Sequence, residues 1–344
     1  MFYLLSLITG VLECGWIAFG AVHTLPLWQI LCYPLAYHIG NLFPKPFSLN
    51  NAALYCIAVF SALTSSLTFI KAIPDNAVFV LTCVSLFCIS AVIQSVRSGL
   101  KSDGNRLLKR IFRVGGFALA PLAAIAPSII LIASSLIAII ALKDYGGTTG
   151  ISTMSLQNGY SAVMIFHQLH YFFYAHITLA AISLMLAHHY SVKGTVFAAL
   201  LFCGTWVTYM SVEPIMCTLT SKILPVFFAG HIGVSILLCA MSFITNQTVF
   251  IILWLITGFG GGVVYTISAR TKAVSCYKKT SMTISENIGH TCGLLVAVAV
   301  ALLYGNASPD IMLVFGSASA MLSVICMTAI FRRENKNEFI AHKS

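Results

Sequence analysis

Eight ionisable side chains stand inside long apolar runs of this chain: Glu13, His38, His167, His170, His176, His231, Glu286 and His290. A charged acid or base in hydrocarbon costs about 2.5–3.5 kcal/mol on insertion scales, so each such group needs a role. Glu286 and His290 are four apart, which on a helix sets them on one face within side-chain reach. Histidine changes charge most easily near neutrality. The pair therefore either passes a proton or forms a neutral hydrogen-bonded lock between helices. Glu13 is the other candidate for protonation. His167, His170, Tyr171 and Tyr174 recur at spacings of three and four, with Tyr160 further back on the same repeat. Lipid offers imidazole and phenol no partners, so this stripe must face protein. There it serves either a solute pathway or a hydrogen-bonded seam between helices. His38 and His231 are isolated and read as core histidines, and Glu213-Pro214 reads as a helix end.

The same histidines admit a second chemistry. His167-Gln-Leu-His170 is an H-x-x-H, and His188-His189 follow about one span later, which is the beginning of a membrane di-iron box or a bis-His haem site. Such ligands need a larger histidine set at one membrane surface and carboxylates to orient them, and few carboxylates are present. A His-ligated metalloenzyme or haem protein is therefore the alternative, and no cofactor or metal is expected. No G-x-x-x-x-G-K-[ST] loop occurs, so a driving force would come from an ion gradient or from the solute's own.

Positioning these groups falls to membrane-spanning helices. With 59% hydrophobic residues, 8% charged residues and a mean hydropathy of +0.93, the chain cannot solvate a 344-residue globule, whose charged fraction is about 25%. The lipid bilayer is its solvent. The formal net charge of +10 is the product of basic loops set against only nine acids, which removes the nucleic-acid reading such a charge would carry in a soluble protein. The eleven cysteines are scattered singly with no C-x-x-C, as packing residues are and as disulfide or zinc frameworks are not. Met1 to Ala21 lacks the basic and cleavage regions of a secretory signal and reads as a retained first helix.

A crossing needs roughly 20 apolar residues, or 17 at the short end. By that measure the spans are 2–22, 25–43, 51–71, 76–96, 107–126, 127–143, 159–187, 194–212, 223–245, 248–269, 281–304 and 310–331. Separating 107–126 from 127–143 at Pro127 fits proline's place in the first turn of a helix. It also keeps the basic loops on one side, since every Lys and Arg except Lys71 and Lys193 then falls in alternate gaps or the tail. Lys109, Arg110 and Arg113 are expected to snorkel to the headgroups from the start of the fifth span. Both termini are expected in the cytoplasm. The sequons Asn246-Gln-Thr248 and Asn306-Ala-Ser308 read as turns.

The organisation expected is a six-helix bundle over 1–143, a cytoplasmic linker over 144–158, a second six-helix bundle over 159–331 and a cytoplasmic tail over 332–344. Two such halves with a substrate site between them form the body of a secondary transporter.

Twelve spans in this arrangement resemble the major facilitator superfamily of secondary transporters. The likeness is carried by Gly258-Phe-Gly-Gly-Gly-Val-Val-Tyr265 in the tenth span, Ser285-Glu-Asn-Ile-Gly-His290 continuing to Gly293 in the eleventh, and Phe166-His-Gln-Leu-His-Tyr-Phe-Phe-Tyr174 in the seventh. The N-terminal half departs from the family: Gly40-Asn-Leu-Phe-Pro-Lys-Pro46 stands where a Gly-x-x-x-Asp-Arg loop is usual. Gly116 and Ala120-Pro121 are only a loose echo of a Gly-Pro motif of the family's antiporters, and export is expected over import by a small margin.

The resemblance implies that spans one, four, seven and ten line the central cavity, placing Gln94 and Tyr265 near Glu13 and the span-seven stripe. The resulting expectation is an all-α integral membrane protein that moves a small polar or anionic solute by alternating access, coupled to protons. Glu13, Glu286 and His290 would carry protons. His167, His170, Tyr171, Tyr174, Gln94 and Tyr265 would contact the solute. A monomer in a bacterial inner (plasma) membrane is expected, and an uncoupled facilitator is a further alternative.

Overall fold

Backbone polar groups in hydrocarbon must close their hydrogen bonds within the segment, so apolar runs of this length fold as helices. The computed structural model describes residues 1–42, 49–70, 72–99, 106–143, 158–188, 204–205, 207–212, 223–274, 279–304 and 309–341, and every regular element among them is a helix. In chain order these are α1 (Phe2–Val22), α2 (Leu27–Leu42), α3 (Asn51–Leu67), α4 (Asp75–Gly99), α5 (Arg106–Leu119), α6 (Leu122–Ile125), α7 (Pro127–Leu142), α8 (Asn158–His188), α9 (Ile223–Met241), α10 (Gln247–Val274), α11 (Lys279–Leu303) and α12 (Pro309–Ala341). A further helical stretch covers 207–212. By length and composition, Phe2–Val22, Asp75–Arg97 and Pro309–Cys326 are each long and apolar enough to cross a bilayer, and five shorter apolar helices accompany them. Large apolar side chains such as Phe60, Leu63, Ile125, Phe243 and Leu303 lie exposed on the outer faces, the surface a multi-pass protein presents to lipid.

Proline sets the boundaries in the middle of the N-terminal half. α7 opens on Pro127 after Ala126, whose non-helical backbone (φ −140°, ψ 61°) ends the preceding turn. The expected fifth span, 107–126, is not one helix: α5 stops at Leu119, and the short α6 follows from Pro121. Pro121 has no N–H to continue the ladder, and the chain is carried past it by Ala123 N donating to the Ala120 carbonyl at 3.0 Å. The Asn246 sequon forms a helix cap, with the backbone N–H of Val249 donating to Asn246 Oδ1 at 3.1 Å. Asn306, the 144–157 segment and Glu213-Pro214 lie outside the described residues.

The chain divides into two compact units, one of Met1–Thr153, Ser183–Cys203 and Ala301–Gly305, the other of Met154–Ile182, Gly204–Val300 and Asn306–Ser344. Within each unit, close approaches at glycine show which helices run together. On α1, Gly10 faces Arg113 and Gly116 of α5, while Gly15 faces Ala120 and Ala123, so the two helices advance in parallel. On α11, Gly289 faces Ile165 and Gln168 of α8, and Gly293 faces Leu169 and Phe173, again in parallel. Gly258 of α10 faces Thr205 and Thr208, and Gly262 faces Tyr209 and Val212. α12 runs against α8, since Gly316 meets Thr178 while Ser319 bonds His170. Within the units, α1 and α5, α8 and α11, and the 204–212 stretch and α10 thus run parallel, and α8 and α12 run antiparallel.

The core of the first unit is built by Leu5, Leu12 and Trp16 of α1, Tyr33 and Tyr37 of α2, Leu86, Ile89 and Ile93 of α4, and Leu131 of α7. Hydroxyls join α3 to its neighbours: Ser61 Oγ lies 3.0 Å from Ser135 Oγ of α7, and Thr64 Oγ1 lies 2.7 Å from Ser85 Oγ of α4. Small residues and short hydroxyls are what let helices associate where lipid is as apolar as leucine.

Candidate functional site

The strongest electrostatic feature of the first unit is one that Glu13 shares with two arginines. Along α1, Glu13 lies about 16 Å from Phe2 by helical rise, in the middle of the span. Arg113 Nη2 donates to both carboxylate oxygens of Glu13 at 2.6 Å, with side-chain exposures of 17% for Glu13 and 34% for Arg113. The expectation that Arg113 snorkels to the headgroups is therefore corrected. Its side chain turns inward because α1 and α5 touch backbone to backbone: a methyl added to Gly10 would fall on the Arg113 carbonyl and within 3.1 Å of Gly116 Cα. That separation brings a guanidinium on one helix within reach of a carboxylate on the other. Lys109, on the preceding turn of α5, sets its ammonium 4.1 Å from the centre of the Phe2 ring, a cation–π contact.

A second guanidinium completes the group. Arg97, near the end of α4, donates from Nη1 to Thr9 Oγ1 at 3.4 Å, and its Cζ stands 5.9 Å from the Phe2 ring centre. Thr9 is buried and one turn before Glu13 on α1. Its hydroxyl already donates to the Leu5 carbonyl at 2.7 Å, so it offers Arg97 a neutral acceptor and no charge. Tyr37 of α2, fully buried, shares Thr9 and feels the charges of Glu13, Arg97 and Arg113. Cys14 is the titratable neighbour on α1 itself. One turn beyond Glu13, the Trp16 indole Nε1 is buried without a hydrogen-bond partner among the described residues. Gln94, an expected solute contact, is one turn before Arg97 on α4 and half-buried. The group thus carries two guanidinium charges against one carboxylate.

In the second unit the histidines are distributed over separate helix contacts. His290 Nε2 pairs with Gln168 Oε1 of α8 at 2.9 Å, and the His290 ring stacks on Phe172 with centroids 3.4 Å apart. Phe172 also stacks on His176 at 4.9 Å. The Glu286 side chain lies outside the described residues, so His290's described partner is on α8 and the expected i,i+4 pair is not on view. His170 Nδ1 meets Ser319 Oγ of α12 at 3.2 Å. Tyr174 is buried, its ring edge-on to the His231 ring at 6.3 Å, and His231 Nε2 meets Ser323 Oγ at 3.1 Å. His38 is likewise buried, beside the Tyr37 ring. The side chains of His167, Tyr171 and Tyr265 lie outside the described residues. Among the described residues, no three His, Cys, Asp or Glu side chains group closely enough to hold a metal ion.

Sequence reasoning missed Arg97, Arg113 and Gln168. The two arginines were counted with a basic cytoplasmic block, and Gln168 sits between two more conspicuous histidines. The available signal was the glycine pair: Gly10 is three residues from Glu13, and Gly116 three from Arg113, marking the faces where the two helices approach.

No family model matches the sequence, and no curated protein matches it. The fold does match solved structures. A nucleoside transporter, NupG, is similar at a TM-score of 0.64 and 12% identity, covering 96% of this chain and 98% of that one. A bacterial metal transporter is similar at a TM-score of 0.65 and 10% identity, covering 96% of this chain and 97% of that one. A mutant form of NupG gives 0.60 at 10% identity, with coverage of 96% and 100%. At these identities the likeness establishes the fold, an all-α membrane-protein fold shared nearly end to end.

Proposed function

We propose that this chain is a secondary active transporter of the major facilitator type, moving a small polar or anionic organic solute by alternating access of its two six-helix halves. Proton coupling through Glu13, Glu286 and His290, solute contact through His167, His170, Tyr171, Tyr174, Gln94 and Tyr265, and export as the direction belong to the same reading. So do a plasma-membrane location and cytoplasmic termini.

The observation that carries it is the charged group on α1, α4 and α5. An ion pair and a further cation held inside a helical bundle are costly for a membrane protein, and groups of that kind mark substrate and ion pathways. The near end-to-end fold likeness to two transporters supports the same class. A metalloenzyme would need clustered ligands, whereas the described histidines pair with separate polar side chains, His170 and His231 with Ser319 and Ser323 of α12 and His290 with Gln168 of α8.

Reconstituted liposomes test the reading. A solute found by thermal-stabilisation screening of the purified chain should cross the membrane faster under an imposed pH gradient, and Glu286→Gln should abolish that acceleration. Flux indifferent to the gradient in the wild type would replace coupling with facilitated diffusion. Stoichiometric iron or haem in the purified protein would replace the transporter reading altogether.

A further inference from the structure

We infer that Arg97 is the anchor for an oxyanion, a carboxylate or phosphate group of the transported solute, and that the adjacent Glu13–Arg113 pair sets how many negative charges the site accepts. The inference rests on the transporter reading and specifies its substrate class.

Among the described residues Arg97 has no carboxylate partner. It has one long hydrogen bond to a threonine hydroxyl and an aromatic ring at the edge of cation–π range, and it sits within the repulsive field of Arg113 and the weaker attractive fields of Tyr37 and Glu13. The guanidinium presents its donors in a rigid fork that matches a carboxylate or phosphate bidentately, and here that fork is underused. Arg113 is spoken for by Glu13. The group Arg97, Arg113 and Glu13 therefore carries one uncompensated positive charge, which one monoanion neutralises.

A dianion requires one more positive charge, and Glu13 supplies it by taking a proton from solvent: its carboxylate becomes a neutral acid, and Arg113 turns from Glu13 to the solute. The charge count then closes again, two guanidinium charges against two negative charges. Dianion binding takes up one proton and monoanion binding takes up none. The titratable and charged groups that face Glu13 are Arg113 on α5, Arg97 on α4, Tyr37 on α2 and Cys14 on α1 itself. The sign follows from proton uptake: affinity for a dianion, whose binding takes up one proton, falls as pH rises, by up to about tenfold per pH unit, while affinity for a monoanion is flat.

The purified full-length chain is tested by thermal unfolding with acetate, succinate or sulfate against chloride at matched ionic strength. In the wild type at least one oxyanion raises Tm by roughly 3–6 °C when present at about ten times its Kd. Succinate acting and sulfate failing identifies a carboxylate site, and the reverse identifies a phosphate-like one. Arg97→Gln should remove the oxyanion shift and leave the unliganded Tm unchanged or higher, because an unpaired, repelled cation has gone. Lys109→Gln, which removes one charge from the same end of the unit, should keep the shift. Glu13→Gln should flatten the pH dependence of the dianion.

Equal oxyanion shifts in wild type and Arg97→Gln, or no shift with any oxyanion, overturn the inference. So does a fall in the unliganded Tm of Arg97→Gln with no loss of the oxyanion shift, which would mark a packing residue. Gradient-driven flux of a cationic or neutral solute would overturn the inference while leaving the transporter reading intact. Absence of any gradient-driven flux, with oxyanion binding retained at Arg97, would overturn the transporter reading instead.

Discussion

Two adjacent glycines on α5 should respond to the same substitution with opposite signs. A methyl at Gly115 would meet nothing within 4 Å, whereas one at Gly116 would collide with the Leu7 carbonyl and fall 3.0 Å from Gly10 Cα. Gly115→Ala therefore gains only helix propensity, about 0.5–1 kcal/mol. Gly116→Ala gains the same and then loses more. The Leu7 carbonyl belongs to a packed backbone and cannot rotate aside, so α1 and α5 must separate by about 1 Å to restore an ordinary contact. That movement stretches the 2.6 Å Glu13–Arg113 bond beyond the ~3.2 Å limit of a good N–H···O geometry. Overpacking costs about 1–3 kcal/mol, and weakening a hydrogen bond to a charged group costs about 1.5–3 kcal/mol. Net of propensity, Gly116→Ala should lose about 2–5 kcal/mol. At roughly 2–4 °C per kcal/mol for a unit of this size, thermal unfolding of the purified protein should show a rise of about 1–4 °C for Gly115→Ala and a fall of roughly 4–20 °C for Gly116→Ala. Equal shifts for the two variants would refute the close crossing and, with it, the account of why Arg113 points inward.

Two further outcomes follow from the side-chain pairs. Glu13→Gln and Arg113→Met should each cost about 3–5 kcal/mol, because each leaves the other charge partly buried without this ion pair, and the double variant should cost less than their sum by at least ~1.5 kcal/mol in a thermal-unfolding cycle; additivity would mean the pair is not formed. Gln168→Leu should cost about 1–3 kcal/mol by leaving His290 Nε2 without its acceptor, and adding His290→Leu should recover most of that; a double variant as unstable as Gln168→Leu alone would show that the 2.9 Å bond is not what holds α8 to α11.

The helices were legible in the sequence because the bilayer enforces length and internal hydrogen bonding on every span. The boundary at Pro127 could be placed because a proline fits the first turn of a helix, and the structure has it there. The break at Ala120–Pro121 was not legible for a related reason: the apolar run continues through it, and hydropathy cannot register a missing backbone donor. The partners of the histidines were hidden because they come from other helices. Ser319, Ser323 and Gln168 are ordinary polar residues until packing sets them against His170, His231 and His290.

The arginines went unrecognised for a more instructive reason. The charge-asymmetry rule treats every cation within a turn or two of a membrane boundary as a loop residue, and it is indifferent to which way the side chain points. Lys109 and Arg113 differ by one helical turn and count alike under the rule, yet one lies over Phe2 and the other grips Glu13. What separates them is the partner helix. A cation can leave the headgroups only where another helix comes close enough to present an anion, and close approach leaves its own mark as glycine one turn away. Gly10 with Glu13 and Arg113 with Gly116 carry that mark on two spans of like parity, which run parallel and so keep both spacings in phase. Arg97 lacks such a glycine three residues either side within α4, and the residue it reaches, Thr9, is neutral. The two arginines therefore differ in kind: one was placed there to be paired within the fold, and the other was left with its charge unmatched, as a group that waits for an anion from outside would be.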